Sequence, residues 1–229
     1  MLATLRSVAA AIAEAIARGL RVEWILVLDA ADQSTKDFLT QNLPGGARTI
    51  NVDVRDLGAA RNAGIAVACG EYAAIADADD LWSANWLSDA HSFVEKLGKP
   101  VVAHPKVVLT FEKSESITIS IDSDADDFNP ATLLKTNCWS AHSFGRRQIY
   151  LDIPFNTGLD VRNGFAFEDW HFNCETLAAG IHHKTVPGTF HCYRIKQWKQ
   201  SLTNQIQEDC SLLPPTTLFA LPYERAAAR

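Results

Sequence analysis

The chain has 229 residues, 47% of them hydrophobic and 21% charged, with a net charge of −6. That composition suits one large core, or one core with a small lobe, and excludes a general nucleic-acid or anionic-membrane surface. An anionic ligand would need a local device: a metal, a helix N-terminus or a few placed arginines. The five cysteines are odd in number and form no C-x-x-C pair, which fits a reduced, cytosolic setting. No apolar run reaches the roughly 20 residues of a membrane span. The Ala-rich start carries Glu14 and Arg18 and reads as an amphipathic helix rather than a signal peptide.

In chain order, residues 4–18 predict a helix that Gly19 stops. Residues 22–28, VEWILVL, form an apolar run without alternation, the pattern of a parallel strand covered on both faces, and end at Asp29. Ser34, Thr35, Lys36 and Asp37 have capping-box spacing and predict a short helix to Asn42, closed by Pro44, Gly45 and Gly46. A short strand over 48–52 precedes a helix over 57–68, whose Ala60, Ala63, Gly64 and Val67 offer a small-residue face to a sheet. Residues 71–76 are the next strand, and Ser83 is placed to cap a helix that runs to Leu97 and closes at Gly98. This alternation predicts an α/β fold, a mostly parallel Rossmann-like sheet with helices on both faces.

Beyond residue 98 the pattern changes to a smaller, mixed region. Residues 101–111 and 116–121 read as strands in antiparallel pairing, 122–127 as an acidic loop and 130–136 as a helical turn or two. Strands are expected over 138–143, 147–153, 182–186 and 189–195, and a helix over 168–179. The tail from Gln207 contains Pro214 and Pro215 and is expected to be loosely held.

Residues 73–82, AAIADADDLW, pose the chemical question. A strand fit for burial runs into Asp77, Asp79 and Asp80, whose like charges repel and resist leaving water. Two residues apart in an extended segment, Asp77 and Asp79 would face one side, at the strand end where ligands gather in parallel sheets. They make either half a site for Mg2+ or Mn2+, completed by water and phosphate oxygens, or a polar loop before the next helix. Upstream, the helix opening at Asp56 brings free N–H groups and Arg61, which could meet a phosphate. Cys174, His182, His183, His191 and Cys192 match no standard zinc spacing.

The run GAARNAGIAVACGEYAAIADADD resembles the core of the family 2 glycosyltransferases, which have the GT-A fold. Gly58, Ala60, Arg61, Asn62, Gly64, Gly70, Glu71, Tyr72, Asp77, Asp79 and Asp80 fit the family pattern in order. The resemblance implies Asp77 and Asp80 on the nucleotide side and Asp79 as the ligand of a Mn2+ or Mg2+ ion on the diphosphate. It implies Asp29 as a contact to the nucleobase, with Ala30 where the family pattern carries a second aspartate. Glu168 and Asp169 resemble the family's E-D motif, whose aspartate is the general base; a helix N-terminus favouring acids is the plainer reading. His191, Cys192, Tyr193 and Arg194, followed by 197–203, resemble a late segment that closes over the diphosphate. There His191 would be a third metal ligand, and Arg194 or Lys199 would neutralise phosphate. Trp82 and Trp170, next to these motifs, are candidates for stacking on a sugar ring.

Against the family pattern the sequence begins inside the first helix, so that the first strand is expected to be missing. The expected organisation is one GT-A-like domain over 1–205, followed by a tail over 206–229. Within it, 1–98 would be the nucleotide-binding half and 99–205 the acceptor-side half. The expected function is inverting sugar transfer from a nucleotide-diphosphate donor to a carbohydrate or other hydroxyl acceptor, at a cytoplasmic site that leaves room for peripheral membrane association. The alternative is a non-catalytic module of the same fold that binds nucleotide sugar or carbohydrate.

Overall fold

In the computed structural model of the chain, residues 1–159, 164–196 and 212–220 are described. Helix α1, Leu2–Ala17, turns Leu5, Val8, Ala11 and Ala15 inward, a stripe spaced three or four residues apart. Strands β1, Trp24–Asp29, and β2, Ala47–Val52, pair in parallel and are linked by α2, Gln33–Asn42. The cap of α2 is Asp32, whose carboxylate accepts from the Thr35 N–H at 2.8 Å, so Ser34 lies inside the helix rather than at its start. Helix α3, Leu57–Val67, is capped by Asp56 and lays its small face on β1. A Cβ added at Gly64 would sit 2.9 Å from Val27 Cγ2.

The second sheet contains β3, Tyr72–Ala74, β4, Leu81–Trp82, β5, Val101–Glu112, β6, Ser116–Ile119, β7, Phe144–Arg146, and β8, His182–Ile195. Its order is β3-β7-β5-β8-β4, with β6 beside the far half of β5. Within it only β5 and β8 run parallel; the other pairs are antiparallel. Among the described strands parallel ladders are therefore confined to β1–β2 and β5–β8, and the second sheet is mixed. The cause is connection length, since the few residues between β5 and β6 allow only a hairpin. Among the described residues no ladder joins β1–β2 to the second sheet.

Alternation along β5 builds the core. Val101 and Ala103 face α1 and α4, Trp86–Leu97, together with Trp82, Phe144 and Val186. Val102 points the other way, to Ile65, Ile149, Tyr150, Phe155 and Phe172. A third cluster gathers Leu133, Trp139 and Cys174 under α6, Glu168–Ala178. Leu213, Leu218 and Phe219 pack on that cluster and Leu212 bridges to Phe165, so this part of the tail is docked rather than loose.

Several local expectations change. Residues 138–143 are not a strand, and residues 147–152 are a helix, α5, Arg147–Asp152, that buries Ile149 and Tyr150. A short apolar run does not by itself separate a strand from a buried helical segment. The two late strands are one, β8, in which Pro187 and Gly188 (φ 75°) bulge opposite Pro105 without ending the pairing. Helix α4 starts at Trp86, and the Ser83 hydroxyl instead accepts from the Phe190 N–H at 3.2 Å. Among the described residues no helix is long and apolar enough to cross a membrane.

Candidate active site

The aspartate-rich stretch is a turn between two strands of one sheet. After β3 the Ile75 N–H still donates to Ser143 O at 2.9 Å; the chain then turns at Ala78 and Asp79 and returns as β4 against β8. Each of the three carboxylates meets a base from elsewhere in the fold. Asp77 Oδ1 lies 2.7 Å from Arg61 Nη2, Asp79 Oδ2 lies 2.5 Å from Lys196 Nζ, and Asp80 Oδ2 lies 2.7 Å from His191 Nε2. The mutual repulsion of Asp77 and Asp79 is thus offset by the chain's own Arg61 and Lys196.

Arg61 is the hub. Its side chain is only 7% exposed, and its guanidinium bonds to Asp77 on one arm and Glu168 on the other. Burial opposes its charge, but Asp77 and Glu168 outweigh that, and the group is held protonated well above its ordinary range. Through these two ion pairs Arg61 joins α3, the aspartate turn and α6. The rest of the glycine-rich run is scaffold. A Cβ at Gly58 would meet Asn156 O at 2.1 Å, and the Asn62 amide both donates to Phe155 O, at 2.8 Å, and accepts from Phe155 N–H, at 3.0 Å.

Helix α6 opens after Phe167, a non-glycine residue at φ 72°, a strained placement of the kind found at working sites. Asp169 follows Glu168. Its Oδ2 accepts from Asn137 Nδ2 at 3.0 Å, and Asn137 Oδ1 accepts in turn from Asn173 Nδ2 at 2.9 Å. Burial and the neighbouring Glu168 push its carboxyl up to about 7, with Arg61 pulling the other way.

Other expected site residues stand differently. The His191 side chain is 2% exposed, with Nε2 on Asp80 and Nδ1 on Ser140. Asp80, equally buried, has its carboxyl raised by burial in spite of that bond and accepts the Arg194 N–H at 2.9 Å. The Arg194 guanidinium pairs with Glu112, and both Glu112 and Asp79 of the turn favour its charged form. Asp29 accepts the N–H groups of Val54, Arg55 and Asp56 at 2.9, 2.9 and 3.1 Å, so its carboxylate holds the loop before α3. Trp82 donates its indole N–H to His142 and Trp170 to Leu133 O. Residues 197–203, with Lys199, lie outside the described residues. Lys196, Asn137 and Asn173 were not singled out in the sequence, since nothing in their spacing marks them.

A model of glycosyl transferase family 2 matches residues 1–158. The chain belongs to that family. A search of curated proteins found no match. Among solved structures, TarS 1-349 of S. aureus in complex with UDP-GlcNAc is similar at 16% identity and a TM-score of 0.58, covering 76% of this chain and 50% of that one. The same protein with UDP gives 15% identity and a TM-score of 0.59, covering 84% and 57%. GalNAc-T7 with UDP, GalNAc and Mn2+ gives 16% identity and a TM-score of 0.57, covering 83% and 41%. The fold is accordingly that of the GT-A glycosyltransferases, and the chain spans about half the length of the solved chains it matches.

Asp79 offers a partly exposed carboxylate at a turn, which suits an ion that keeps water and takes phosphate oxygens. Among the described residues no three His, Cys, Asp or Glu side chains gather into an all-protein cage.

Proposed function

We propose that the chain moves a sugar from a nucleotide-diphosphate donor to a carbohydrate or other hydroxyl acceptor, inverting the anomeric carbon. Asp169 supports this reading most. It is a carboxyl raised to about 7, seated by Asn137 and joined through Glu168 and Arg61 to the aspartate turn. A base with that affinity is deprotonated near neutral pH yet still takes a proton readily. The acceptor oxygen attacks the anomeric carbon as Asp169 takes its proton. The bond to the diphosphate oxygen breaks, and the diphosphate leaves with the electron pair. Glu168 positions Arg61, and His191 positions Asp80. On Asp79 a Mn2+ or Mg2+ ion supplies, when bound, positive charge beside the leaving diphosphate.

UDP-sugars are the first donors to test, because the similar solved chains are complexes with UDP or UDP-GlcNAc. The test measures nucleotide release from a donor panel by the wild type and Asp169→Asn. Release by the wild type, reduced about 100-fold or more in the variant, supports the reading; equal release by both overturns the role of Asp169. A second reading, binding without turnover, is favoured by one observation: Asp29, Asp77 and Asp79 are all engaged by the chain's own groups. Saturable donor binding with no release by the wild type would select it.

A further inference from the structure

The three acids of the turn are not equally committed. Asp80 and His191 are each 2% exposed, and Asp77 is held by an arginine that is 7% exposed and bonded twice. The third pair is open: Lys196 is 32% and Asp79 29% exposed, with one contact of 2.5 Å. Lys196 follows the last residue of β8, where Arg194 N–H is fastened to Asp80 and Ile195 O accepts from Lys113 N–H. Its backbone is therefore anchored beside the turn, while its ammonium rides on a flexible four-carbon stem. A partly exposed pair of this kind is weak and exchanges readily.

We infer that Lys196 is the resident cation of Asp79: its ammonium occupies the carboxylate in the nucleotide-free protein and competes directly with a divalent ion for it. The inference deepens the reading of Asp79 as the metal carboxylate and does not depend on sugar transfer. The turn then keeps its charge balance whether or not metal is bound. A divalent ion gains Asp79 only by releasing the ammonium, which is left next to the place a diphosphate would take. Metal affinity without nucleotide is lower than a free carboxylate at this turn would give.

The test is Mn2+ binding to the nucleotide-free chain, read by the electron paramagnetic resonance of free Mn2+. It compares wild type, Lys196→Met, Asp79→Asn and the double variant, with thermal melts to confirm folding. Removing the ammonium should tighten Mn2+ binding about 3- to 10-fold, and the gain should vanish in the double variant. Unchanged or weaker binding in Lys196→Met overturns the inference, as does a gain that survives Asp79→Asn. If Lys196→Met does not fold, Lys196→Gln is judged by the same two criteria. Nucleotide release from donors is a separate assay, so a chain that fails to transfer sugar can still pass this one.

Discussion

Asp169 carries opposite demands on stability and on turnover. Its folded carboxyl is raised to about 7 from an ordinary value of 3.8. The folded state thus binds the extra proton between those values, and its contribution to stability is present at low pH and lost as pH rises through about 7. On the proposed mechanism turnover needs the deprotonated form and should climb through the same range, levelling off above it. Asp169→Asn should melt higher than the wild type at pH 8, with the difference closing by pH 4, while transfer is lost. A variant that melts lower at pH 8 would contradict the burial argument. Asn137 has no charge of its own and acts through Asp169, so Asn137→Ala should move the midpoint of the pH–rate profile; a loss of rate with the midpoint unmoved would make it merely structural. His191→Ala would leave Asp80 buried with no base beside it, which costs about 3 kcal/mol in comparable pairs. A urea melt showing a loss below about 1 kcal/mol would contradict that.

At the scale of elements, the glycine-rich run makes α3 a spacer with fixed tolerances. Gly58 admits Asn156 O where a methyl group would lie at 2.1 Å, whereas a Cβ at Gly45 meets nothing within 4 Å. Gly58→Ala should cost about 1–3 kcal/mol or more, because backbone must move, while Gly45→Ala should leave the urea midpoint nearly unchanged. Equal midpoints for the two variants would contradict this reading of α3. The elements with strong local signals were legible in advance: α1 from its apolar spacing, β1 from an unbroken apolar run, α3 from its small face. Those decided by distant partners were not. Arg147–Asp152 folds as a helix because Ile149 and Tyr150 share a core with Phe172, which no local pattern announces. The site divides the same way. The acids were visible as a cluster, but their bases come from positions 61, 191 and 196, and sequence spacing carries no sign of such pairings.

For the whole molecule, the division into two sheets predicts uneven stability. Every residue of β1 is partly exposed, and among the described residues β1 pairs only with β2, whereas Val101, Val102 and Ala103 of β5 are fully buried between two neighbours. Hydrogen exchange should therefore find the β1 amides opening well before those of β5; equal protection would mean that the two sheets open as one unit.

The guanidinium of Arg61 has a consequence for anyone who would redesign this chain. One side of it touches the aspartate turn and the other touches the start of α6. On the proposed function, which gives the turn to the donor and Asp169 to the acceptor, choice of donor and choice of acceptor are not separable traits. A library that varies positions around 77 without varying those around 168 explores only half of a shared hinge pin, and its best variants should carry compensating changes on the far side.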